Sequence, residues 1–64
     1  MVDTNELRGL LAKNNISGKE MAEKLGITSK TFYVKMKTKK FNSEEMKILC
    51  EVLRIEDPIK IFFA

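Results

Sequence analysis

The chain has no histidine, no tryptophan, one cysteine (Cys50), one proline (Pro58) and three glycines. Each scarcity removes a class of function. With no imidazole and a lone thiol, neither a zinc or other soft-metal cluster nor an internal disulfide can be assembled. The usual Ser-His-Asp and Cys-His nucleophile arrangements go with them. No glycine-rich phosphate loop is present either, so the sequence reads as a non-enzyme that takes no metal, cofactor or small-molecule ligand. No segment approaches the ~18 uninterrupted apolar residues of a membrane span. The opening Met1-Val2-Asp3-Thr4-Asn5-Glu6 has neither a basic leader nor an apolar stretch, so it does not read as a signal peptide, and a cytoplasmic location is expected.

What is present suits one small folded domain over residues 1–64, with 44% hydrophobic and 33% charged residues and no polar or repetitive tract. A core of this size supplies only about 3–5 kcal/mol of net stability, so association with a second copy would help. Period-two alternation is absent, and helical punctuation recurs instead. Leu7, Leu10 and Leu11 make one apolar stripe on a helix from Thr4 to Lys13, which Asn14-Asn15 closes. Ser17 and Glu20 form a capping box for a second helix that begins at Gly18. It turns Met21, Ala22 and Leu25 inward and ends at Gly26, which can adopt the left-handed conformation. Ile27 follows as a buried turn residue, and Thr28 or Ser29 caps a third helix through about Lys37 with Phe32 and Met36 on its inner side.

Asn42 caps a fourth helix, with Glu44 and Glu45 in the first turn and Met46, Leu49, Cys50 and Leu53 facing inward, flanked by Ile48 and Val52. Asp57-Pro58 starts a short fifth helix to about Phe63. The predicted fold is therefore all-α, with five helices. Helices 2 and 3, joined by a tight glycine-containing turn, have the helix-turn-helix arrangement in which the second helix can enter a DNA groove.

A further absence is local. From Lys24 to Ser43 there is no Asp or Glu, yet the stretch holds Lys24, Lys30, Lys35, Lys37, Lys39 and Lys40. Against a whole-chain net charge of +3 this block carries +6, leaving the remainder at −3. A localised basic surface on a neutral-to-acidic body is what binding a polyanion requires, because lysines that neutralise phosphates release condensed counterions.

With Phe32 and Met36 inward, the third helix leaves Ser29, Lys30, Tyr33 and Val34 as candidate base-reading residues. Ser29 offers a hydroxyl, Lys30 a donor for guanine O6/N7, Val34 a surface for thymine methyls, and Tyr33 a ring and a phenol. Candidate phosphate contacts are Ser17, Gly18, Lys19 and Thr28 at helix starts, where unpaired N–H groups attract anions, together with Lys35, Lys37, Lys39 and Lys40. The apolar tail Ile61-Phe62-Phe63 holds more hydrophobic surface than one small core needs and is the candidate dimer contact.

The run from Ile16 through Phe32, with Ala22 at the close-packed position and Gly26-Ile27 at the turn, resembles the helix-turn-helix of the phage Cro and CI repressor superfamily, also called the XRE family. Phe41-Asn42-Ser43-Glu44-Glu45-Met46 looks like the start of that family's fourth helix, and the resemblance covers most of the chain. It implies a five-helix, lambda-repressor-like domain that binds operator DNA, usually as a symmetric dimer, and controls transcription, often in phages or mobile elements. By position it implies phosphate contacts at Ser17, Gly18, Thr28 and the Lys39-Lys40 loop, and base reading at Ser29, Lys30 and Val34. Two positions depart from the family pattern. Gly18 stands where a phosphate-binding glutamine is common, and Lys35 where an apolar residue often closes the reading helix. The expected partner is palindromic double-stranded DNA bound by a homodimer. The competing reading keeps the fold as a protein-binding adaptor, antirepressor or antitoxin-type module.

Overall fold

Every helix start in the structure, a computed structural model that describes all 64 residues, is fixed by a side chain accepting a backbone N–H from three residues on. The elements are α1 (Thr4–Lys13), α2 (Gly18–Leu25), α3 (Ser29–Thr38), α4 (Ser43–Leu53) and α5 (Pro58–Phe62), with no strand. Asp3 caps α1, Thr28 caps α3, and Asp57 followed by Pro58 opens α5. Ser17/Glu20 and Asn42/Glu45 form complete capping boxes on α2 and α4, each satisfying two otherwise unpaired N–H groups.

The helix ends are less uniform. Gly26 is left-handed (φ 75°), and the chain turns at once, with Ile27 N–H donating to Ala22 O at 3.0 Å. Lys39 (φ 59°) and Arg54 (φ 54°) adopt the same conformation without being glycine, and Asn15 (φ 55°) does so after α1. A side chain in this region costs conformational energy that glycine avoids. α3 consequently runs one residue past Lys37 before Lys39 closes it. α5 stops at Phe62, one residue short of the sequence expectation.

The core joins all five helices: Leu7 and Leu11 from α1, Met21 and Ala22 from α2, Phe32 and Met36 from α3, Leu49 and Leu53 from α4, and Ile61 and Phe62 from α5. Val2 and Phe41, both outside helices, complete it, and Phe41 lies 6.2 Å from Phe32 between ring centres. Met46, Cys50, Ile27 and Leu25 are half-buried around it. Burial, followed by the neighbouring Glu51 carboxylate, raises the pKa of the Cys50 thiol, as suits a packing residue. α2 packs most extensively on α3, and Ala22, with a single methyl, is fully buried where the two meet.

Two members of the proposed dimer contact are thereby reassigned. Ile61 and Phe62 turn into the chain's own core because α5 packs on α1, so only Phe63, 69% exposed, stays on the surface, along with Ile59. The ends of the chain also meet. Asp3 N–H donates to Ile61 O at 2.7 Å and Ala64 N–H to Met1 O at 3.0 Å, and the Met1 amino group donates to Ala64 O at 3.1 Å.

Glu45 is the one buried acid. Its Oε1 accepts from Asn42 N–H at 2.9 Å and lies 3.2 Å from Lys35 Nζ, so a single carboxylate ties the last turn of α3 to the first turn of α4. Replacing Glu45 with Ala removes both ties and should lower stability by about 1–2 kcal/mol, the usual range for losing a cap. Thermal melting checks this, at roughly 4–8 °C per kcal/mol for a domain of this size. At the other junction, Ala22→Leu should overpack α2 against α3 and cost about 1–3 kcal/mol by urea denaturation. An unchanged midpoint would mean that the two helices can separate freely.

Candidate nucleic-acid interface

The outer side of α3 is set by what its inner side buries. With Phe32 and Met36 in the core, Lys30, Val34 and Lys37 follow one another at helical spacing on the opposite side, all exposed. No other part of the chain covers them, and Val34 keeps 52% of its surface open to solvent. Ser29 and Thr31 are exposed in the first turn. An exposed valine between two lysines, on a helix with no acid in it, is a surface with both apolar and cationic contacts to offer.

The proposed phosphate contacts divide into two groups. Ser17, Lys19, Lys37, Lys39 and Lys40 are exposed, and the three residues Lys39, Lys40 and Phe41 carry the basic loop directly from the end of α3. Thr28 and Lys35 are already engaged within the protein. The Thr28 hydroxyl donates to Thr31 Oγ1 at 2.9 Å while accepting from Thr31 N–H at 3.1 Å, which leaves little for a phosphate. Lys35 is half-buried and paired with Glu45, so its charge serves the α3–α4 junction and is withdrawn from the basic surface. Met36, buried, fills the core at the end of α3 where an apolar residue is wanted.

Two further placements could not be read from residue order. Gly18 lies under Tyr33, and a Cβ built on Gly18 would meet the phenol Oη outright and stand 2.8 Å from Cζ. Tyr33 is 59% exposed but lies sideways toward α2, its ring edge-on to Phe32 with centres 5.7 Å apart. Arg8 of α1 borders the same shallow hollow, about 250 Å³, as Gly18 and Tyr33. The only sequence signal for it is an arginine beside the inward Leu7.

The larger hollow, about 670 Å³, is bordered by Asp3, Glu6, Glu56 and Asp57 as well as Lys13, Arg54 and Lys60. Its charge is mixed, unlike that of α3. No group of three or more His, Cys, Asp or Glu side chains is placed to hold a metal ion. No helix is long and apolar enough to cross a membrane.

Two helices meeting across a left-handed glycine, the second with its outer side bare and basic, define a helix-turn-helix DNA-binding domain. The chain belongs to the Cro/C1-type HTH DNA-binding domain family, whose model it matches over residues 6–58. It is thus a DNA-binding regulator of the XRE-like type. Among curated proteins and among solved structures, the chain has no match.

The exposed loop lysines give a direct electrostatic expectation. Lys39→Ala and Lys40→Ala should each lower the slope of log affinity for duplex DNA against log salt by about one unit, whereas Lys35→Ala should leave the slope unchanged and reduce stability instead. Fluorescence anisotropy titrations across a salt series, paired with melting curves, separate the two effects.

Proposed function

We propose that this chain is a Cro/CI-like transcriptional repressor of phage or mobile-element origin, acting in the cytoplasm on a palindromic operator. α3 enters the major groove. Ser29, Lys30 and Val34 face base edges, where a lysine donor suits guanine and a valine side chain suits the thymine methyl. Ser17, Lys19, Lys37, Lys39 and Lys40 hold the flanking phosphates and fix register without selecting sequence. The observation that carries this reading is the uncovered strip Lys30–Val34–Lys37, which continues into an exposed lysine loop and has no acid within it.

The operator is read by a homodimer whose two α3 helices lie about 34 Å apart, one duplex turn. Exposed Phe63 and Ile59 support an apolar contact between protomers. A small core and a second copy suit one another, since association adds buried surface that the isolated chain lacks.

Selection from random duplexes tests the assignment. A palindromic consensus should emerge, and Lys30→Ala or Val34→Ala should change preference at single base-pair positions by about 1–3 kcal/mol while melting as the parent does. Equal weakening on every sequence would make these two residues backbone contacts. If no duplex binds even at low salt, the fold serves as a protein-binding adaptor, antirepressor or antitoxin-type module instead.

A further inference from the structure

The shoulder of α3 that faces α2 holds a second set of groups that the sequence did not bring together. Tyr33 lies at the edge of the strip of Lys30, Val34 and Lys37, on the shoulder of the helix toward Met36, and two residues flank its ring. Phe32 meets it edge-on, and Gly18 lies beneath it so closely that any side chain there would strike the phenol. None of the chain's side-chain hydrogen bonds uses its hydroxyl. Arg8 reaches the same hollow from α1 and is exposed, and the chain's one ion pair, Lys35–Glu45, does not involve it. A free guanidinium and a free phenol bordering one hollow, drawn from separate helices, are both donors suited to a phosphate oxygen.

We infer that Arg8 and Tyr33 form a backbone clamp on the α2 side of the reading helix, in addition to the Lys39-Lys40 loop that follows it, and that Gly18 exists to seat the phenol. The inference rests on the DNA-reading assignment and moves Tyr33 from base reading to strand holding. Turned toward α2, the ring lies away from the base edges that Lys30 and Val34 face. Its hydroxyl occupies the space that a side chain at position 18 would otherwise fill. The clamp combines one charged and one neutral contact, and these have different signatures. An arginine that neutralises a phosphate displaces a counterion, whereas a phenol hydroxyl adds affinity without adding to the salt slope.

The test uses three variants of the full chain, measured on the selected operator and on an unrelated duplex across a salt series. Tyr33→Phe, which keeps the ring, should weaken binding to both duplexes by the same factor, about tenfold, as for loss of a hydrogen bond to a charged group, with the salt slope unchanged. Arg8→Gln should reduce the slope by about one unit and leave the base preferences as they were. Gly18→Ala should melt like the parent, because the obstructing group is the far end of a movable side chain, yet bind about as weakly as Tyr33→Phe. A changed preference at any base pair for Tyr33→Phe, or an unchanged slope for Arg8→Gln, overturns the clamp while leaving the DNA-reading assignment standing. Parental affinity in Gly18→Ala overturns the role given to the seat. Failure of the parent chain to bind any duplex overturns both.

Discussion

Ala22 is small enough to let α3 lie directly against α2, and Gly26 lets the chain reverse between them within a three-residue connection. The orientation of α3 about its own axis follows from that packing. Once Phe32 and Met36 are committed to the core, Lys30, Val34 and Lys37 have only the solvent side left. A helix free to roll would present a changing mixture of side chains to its target. This one presents a single set, and the backbone freedom that would otherwise oppose binding has already been given up on folding. The exposed face of α3 is therefore a by-product of core packing.

Electrostatics sets the second constraint. Five exposed lysines and Lys35 crowd a short stretch, and their mutual repulsion opposes compaction. Glu45 relieves part of it from the inside, by pairing with the one lysine that turns inward and capping α4 with the same carboxylate oxygen. The neutralised charge is the one that could least easily reach a ligand. Elsewhere acids and bases are interspersed, as around the hollow bordered by Asp3, Glu6, Glu56 and Asp57 with Lys13, Arg54 and Lys60, so the excess positive charge stays with α3 and the loop after it.

Much of this was legible in residue order because local rules carried it. Both capping boxes, the left-handed Gly26, the Asp57-Pro58 start and the inner faces of the first four helices depend on short spacings along the chain. The failures share a cause: they depend on neighbours distant in the chain. Nothing in Ile61-Phe62-Phe63 says which ring the core will take, because α1 decides it from fifty residues away. Lys35 reads as one more lysine until α4 brings Glu45 to it, and the closeness of Tyr33 to Gly18 joins two helices that counting along either would not link. The closing of α3 at Lys39 and of α4 at Arg54 carried no glycine signal, so those ends had to be found in the backbone. Val2 and Phe41 join the core from outside the helices, where periodicity carries no information about burial.

The first and last residues exchange backbone hydrogen bonds, and Asp3 adds another to Ile61. Any polypeptide spliced onto either end would leave the body from one point, like two ropes from a single mooring. Such a module can hang from a larger assembly or sit within a loop of a host chain without its two attachments pulling the helices in opposite directions. Mechanical load arriving through those attachments would fall first on α1 and α5, and the α2–α3 corner would feel it only after they gave way.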